Sequence, residues 1–204
     1  MKIVFIGDSI TEGDRDLNNP TDLGTGFVKI TADKIRYMYP ANPVQIVNKG
    51  VSGTTTATLL ERIDSDVIAE HPDVVVMMIG INDCSERITV ENSTVTIESF
   101  KQNYEAILDK IRECGAKIIA LEPFLLPVPD KRRMRVFFDL QLDVLSILAE
   151  EKADLYIAYD EMFNGVCGSL PYSVYSTDGI HPTHRASRLI ADNLIRYMEK
   201  IIEL

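Results

Sequence analysis

A chain of 204 residues with 46% hydrophobic and 25% charged content suits one globular domain over residues 1–204, with a sizeable core and no sign of disorder. Its 31 acidic against 21 basic residues give a net charge of -10, which repels phosphate backbones and anionic membrane surfaces and argues against nucleic acid as a partner. No apolar run is long enough for membrane insertion, none has the form of a secretory signal, and Cys84, Cys114 and Cys167 lack C-x-x-C pairing, so a reducing cytoplasm is the expected location.

Apolar runs at residues 3–6, 44–47, 74–79, 118–121 and 155–158 are short, rich in β-branched side chains and not alternating. Such runs read as strands buried on both faces. Between them, residues 27–37, 59–69, 100–111, 136–148 and 189–202 carry helical periodicity. Strand alternating with helix implies a parallel sheet of five strands with helices on both faces, a three-layer α/β/α domain of flavodoxin-like type.

Three connections exceed what a simple α/β unit needs, and each should overhang the carboxyl edge of the sheet. Residues 12–26 are polar and turn-forming, with Arg15 available to a polar ligand. Residues 84–99 follow the third strand. Residues 122–135 contain three prolines and the basic run Lys131, Arg132, Arg133, which reads as a solvated helix start.

Chemistry-bearing residues fall at strand ends. Lys2 to Thr11 reads KIVFIGDSIT, a buried strand that breaks at Gly7 and delivers Asp8 and Ser9 beyond its carboxyl end, where open α/β sheets bind ligands. Taken alone, Gly-Asp-Ser reads first as an ordinary strand-to-helix turn with Ser9 capping a helix, and the other blocks of the chain shift that balance. After the second strand, Gly50 in NKGVSG offers a backbone N–H with no side chain in the way; after the third, Asn82 in GIND offers an uncharged NH2 donor. Before the last helix comes STDGIHP, where Asp178 lies three residues before His181, close enough for a carboxylate to fold back onto an imidazole nitrogen. A serine hydroxyl needs a histidine to accept its proton, a carboxylate to fix the tautomer, and preorganised donors for the oxyanion.

GDSIT, NKGVSG, GIND and DGIHP, in this order and each after a predicted strand, resemble the four blocks of the SGNH (GDSL-type) hydrolases. The resemblance implies Ser9 as nucleophile, His181 as base and Asp178 as its partner, with an oxyanion hole of Ser9, Gly50 and Asn82 and no metal or other cofactor. A narrower likeness, to intracellular acetylxylan and xylo-oligosaccharide esterases, rests on GDSITEGDRD with LGTGFV, on IVNKGVSG and on EPFLLPVPDKRRMR. It implies a small acyl group on a carbohydrate and a homo-oligomer, since similar enzymes are often oligomeric. The chain has no tryptophan to stack on a sugar, so Tyr172, Tyr175, Phe124 and Phe27 are the aromatic candidates. Asp8, Arg15, Phe124 and Tyr175 are the expected substrate contacts, with Asp8 alternatively a backbone partner near Ser9.

Competing readings are weaker on the same residues. A lysophospholipase or thioesterase would use the same serine. Asp8 and Asp83 at strand ends could belong to a phosphoacceptor signalling domain, but that fold wants a lysine after the last strand, where this chain has Asp160-Glu161. Asp178, His181 and His184 spell D-x-x-H-x-x-H, yet no further ligand sits at supporting spacing. Neither G-x-S-x-G nor a phosphate-binding loop occurs.

Overall fold

The computed structural model describes residues 1–168 and 170–204. Five parallel strands, β1 (Lys2–Gly7), β2 (Gln45–Asn48), β3 (Val74–Met78), β4 (Lys117–Leu121) and β5 (Leu155–Ile157), form one sheet in the order β2-β1-β3-β4-β5. This is the flavodoxin-like order expected from the sequence. Its topological switch point lies at β1 and β3, where the chain leaves the centre of the sheet in opposite directions.

The two-residue period of a strand sends neighbours to opposite faces. Ile3 and Phe5 pack with Phe27, Val28 and Ile35 of α2 (Phe27–Met38) and with Ile190 and Leu194 of the last helix. Val4 and Ile6 go the other way, onto Leu59 and Ile63 of the helix at Thr56–Asp66, Phe100, Tyr104 and Ile107 of that at Ile97–Glu113, and Leu145 of that at Arg132–Lys152. Every one of these β1 side chains is fully buried, which is why the run carries no polar alternation.

Numbered in order, the helices are α1 (Ser9–Glu12), α2, α3 (Thr56–Asp66), α4 (Ile81–Thr89), α5 (Ile97–Glu113), α6 (Arg132–Lys152), α7 (Tyr159–Val166) and α8 (His184–Met198). Threonine caps set the starts of α3, α5 and α8 well ahead of their apolar periodicity: Thr55, Thr96 and Thr183 accept from backbone N–H groups three residues on. Residues 84–99 are not a plain connection, because α4 occupies their first part. The buried face of α4 comprises Ile81, Asp83 and Cys84, so a carboxylate interrupts the apolar pattern that would have announced a helix. α7 escaped for a related reason, with Asp160 buried between Tyr159 and Phe163.

Candidate active site

β1 ends at Gly7, and Asp8 caps α1 by accepting the Ile10 N–H at 3.0 Å. Ser9 is thereby the first helical residue, and its N–H has no acceptor within the helix. Asp8 is fully buried, and burial pushes its carboxyl up to about 7.

The loop before α8 closes on itself. Ser176 and Pro182 form an isolated antiparallel bridge, and the Thr183 N–H donates to Tyr175 O at 2.8 Å. Residues 122–131 brace the loop from outside: the Leu126 N–H donates to Gly179 O at 2.8 Å, and a Cβ on Gly179, whose φ is +86°, would stand 2.8 Å from Val128 Cγ2. Within this loop Asp178 Oδ1 accepts from Ser176 Oγ (3.0 Å), Ile180 N (2.9 Å) and His181 N (2.8 Å), while Oδ2 lies 2.6 Å from His181 Nδ1. Partial burial opposes ionisation of Asp178, but these hydrogen bonds outweigh it and hold the carboxyl well below the usual carboxylate range. An ionised carboxylate only accepts, so Nδ1 carries the proton and Nε2 is left as acceptor. Ser9 Oγ lies 2.9 Å from that Nε2.

Gly50 packs against the backbone of α1, where a Cβ would meet Glu12 N at 2.2 Å and Thr11 C at 2.6 Å. Its N–H donates to Asn48 Oδ1 at 2.9 Å. Asn48 Nδ2 in turn donates to Thr11 O (2.8 Å), Glu12 O (3.2 Å) and Leu23 O (3.1 Å), so one amide ties the end of β2 to α1 and the loop that follows. Asn82, half-buried in the first turn of α4, gives one amide proton to Thr54 O at 3.0 Å and keeps a second. Its neighbour Asp83 anchors α4 to α3 by accepting the Thr56 N–H at 3.0 Å and the Thr56 hydroxyl at 2.5 Å. Burial pushes the Asp83 carboxyl up to about 6.

Ser9, His181 and His184 line a cleft of about 380 Å³ whose far wall is Gly13, Thr25 and Gly26, so residues 12–26 do border the site. Residues 122–135 do not line it. A larger concavity, about 990 Å³, lies at the opposite edge of the sheet around His71, Asp73 and Lys117, away from all of this chemistry.

The four expected substrate contacts fare differently. Phe124 is fully buried against Phe163, and Asp8 is fully buried beneath Ser9, so neither reaches a ligand, a correction to their expected contact role. Arg15 turns inward and donates to Gly50 O from Nε (3.1 Å) and Nη2 (2.9 Å). Tyr175 is only 5% exposed, its ring beneath the Arg185 guanidinium in a groove that meets the cleft at His184. Asp8 and Asp83, both buried, are also inaccessible to a phosphodonor. Asn48, Ser176 and Arg62 were missed by sequence reasoning. Asn48 had a visible signal, standing at a strand end two residues before Gly50; Arg62 had none beyond its place on a helix.

Residues 5–189 match the model of the GDSL-like Lipase/Acylhydrolase family. The chain belongs to that family, and it is a carboxylic ester hydrolase. It is 30% identical to an acetylxylan esterase of Geobacillus stearothermophilus, over 96% of this chain and 92% of that one, and 28% identical to Esterase TesA of Pseudomonas aeruginosa, over 94% and 85%. The crystal structure of the Geobacillus enzyme, Axe2, superposes with a TM-score of 0.88 at 30% identity, covering 99% of this chain and 94% of that one. LAE5, an alpha/beta hydrolase enzyme from the metagenome of Lake Arreo, Spain, gives 0.89 at 26% identity over 99% and 96%. Solved forms of Axe2 include catalytic mutants in which a serine, an aspartate or a histidine is replaced by alanine, the aspartate three positions before the histidine.

Proposed function

We propose that this enzyme removes acetyl groups from a carbohydrate such as an acetylated xylo-oligosaccharide, by a Ser9-His181-Asp178 triad and an acyl-enzyme. The observation that carries the reading is the continuous relay from Ser9 Oγ to His181 Nε2 (2.9 Å) and from His181 Nδ1 to Asp178 Oδ2 (2.6 Å). In this mechanism Ser9 Oγ attacks the ester carbonyl carbon while Nε2 takes its proton. The imidazolium then returns that proton to the departing sugar oxygen, and water, activated by the same nitrogen, releases acetate from Ser9.

Oxyanion stabilisation falls to the Ser9 N–H and the second amide proton of Asn82. The Gly50 N–H already serves Asn48, so it joins only by sharing that proton with the oxyanion. An acetylated sugar is favoured by the likeness to a named acetylxylan esterase across nearly the whole of both chains, and the triad by an Asp-x-x-His spacing common to both.

The test is a panel of p-nitrophenyl esters of rising acyl length, acetylated xylo-oligosaccharides and a lysophospholipid, run on the parent and on Ser9→Ala. Deacetylation of the oligosaccharides with short acyl preference, abolished in Ser9→Ala, is the expected result. Preference for long acyl chains would replace the carbohydrate reading by a lysophospholipase or thioesterase one. Turnover surviving in Ser9→Ala would remove the mechanism.

A further inference from the structure

Arg62 sits in α3, outside every sequence block and outside the cleft, yet its guanidinium reaches the segments that carry the Ser9 and Gly50 donors and the residue that anchors Asn82. Nη1 donates to Lys49 O at 2.9 Å. Nη2 donates to Gly7 O at 3.0 Å and to Thr54 Oγ1 at 3.2 Å. Lys49 O belongs to the peptide plane whose N–H is that of Gly50; because the plane is rigid and trans, holding the carbonyl fixes the direction of the N–H. Gly7 O lies at the end of β1, two residues before Ser9. Thr54, whose hydroxyl Arg62 meets, is the residue whose own carbonyl receives the Asn82 amide at 3.0 Å.

We propose that Arg62 is a positioning residue that assembles the oxyanion hole, one planar fork setting the mutual orientation of the Ser9, Gly50 and Asn82 donors. The inference rests on the serine-esterase reading above. Only an arginine fits these contacts, because three acceptors, one at the end of β1 and two in the connection from β2 to α3, need a fixed planar array of N–H groups, and a lysine ammonium is a point charge without that array. The plainer account of Arg62 is its ion pair with Asp66, one helical turn on at 2.5 Å. Partly exposed i,i+4 pairs contribute little, and that pair leaves three backbone and hydroxyl contacts unaccounted for.

The experiment compares Arg62→Ala, Arg62→Lys, Asp66→Ala and Ser9→Ala with the parent on p-nitrophenyl acetate, taking kcat and KM separately and a thermal melt for each. Misplaced donors weaken the transition state more than the ground state, so Arg62→Ala should lose about 10- to 100-fold in kcat with KM changed by less than about threefold. Arg62→Lys should recover only part of that loss although it keeps the charge, and Asp66→Ala should match the parent. Added guanidinium at tens of millimolar should restore turnover to Arg62→Ala where equal sodium chloride does not. If Arg62→Ala fails to fold, Arg62→Lys carries the decision. A folded arginine variant with parental kcat, beside an inactive Ser9→Ala, would overturn the positioning role and leave the esterase reading intact. An active Ser9→Ala would overturn both.

Discussion

Asp178 Oδ2 lies 2.6 Å from Nδ1 of His181, and Asp178 Oδ1 accepts the backbone N–H of the same histidine at 2.8 Å. The carboxylate therefore fixes both where the residue sits and which ring nitrogen bears its proton. Asp178→Asn can turn an amide N–H toward Nδ1 and so favour the tautomer that is useless to Ser9. We expect kcat to fall on the order of 10³–10⁴-fold with the melting temperature nearly unchanged. Steady-state kinetics with a parallel melt checks this, and a loss below tenfold would show that the histidine needs no such partner.

Asn82 is predicted to matter for rate rather than affinity. Its Nδ2 has one proton on Thr54 O, at 3.0 Å, and one left for a developing oxyanion. Asn82→Ala should lower kcat by about 10²–10³-fold, the usual effect of removing one such donor. A rise in KM at constant kcat would instead assign Asn82 to ground-state binding.

Much of this was legible in the sequence, for physical reasons. Strands such as Ile3 to Ile6 are buried on both faces, so they appear as unbroken apolar runs, and glycine or aspartate at their ends marks the turn. Asp178 and His181 were readable as a pair because three residues is the reach of one tight loop. What was illegible depends on long-range contact. Arg62 meets Gly7 O, 55 residues earlier in the chain, and no local pattern encodes that. Asp83 and Asp160 sit on buried helix faces because Thr56 and Arg135 satisfy them from elsewhere, so α4 and α7 lack the apolar stripe that reveals a helix. Aromatic residues were misjudged for the converse reason: Phe124 looked like a sugar platform but fills the core beside Phe163.

Gly50 should tolerate no side chain. A Cβ there would lie 2.2 Å from Glu12 N and 2.6 Å from Thr11 C, both backbone atoms of the short helix that begins at Ser9. Backbone cannot rotate away as a side chain can, so α1 must move. Gly50→Ala is expected to cost at least roughly 1–3 kcal/mol of stability. It should also reduce kcat when assayed well below its own melting temperature. A variant with parental stability and turnover would mean that α1 shifts freely.

Asp8 gives a prediction about pH. Its carboxyl is fully buried, one oxygen caps α1 through the Ile10 N–H, and Oδ2 has no hydrogen-bond partner among the described residues. Burial is the main cause that raises its pKa to about 7, with the Ile10 N–H opposing and the Asp83 carboxyl a smaller push upward. The unfolded chain ionises Asp8 near 4, so between about 4 and 7 the folded state binds the extra proton. The stabilisation is thus fully present below that unfolded value and is lost as pH rises through the folded one. Asp8→Asn keeps an oxygen for the cap and removes the titration. Between pH 5 and 7 the parent should lose roughly 2–3 kcal/mol relative to Asp8→Asn, at about 1.4 kcal/mol per unit, or about 5–10 °C in Tm for a chain of this size. Melts of both proteins at pH 5, 6, 7 and 8 measure the difference directly, and parallel curves would show that Asp8 is already ionised in the folded enzyme at pH 5.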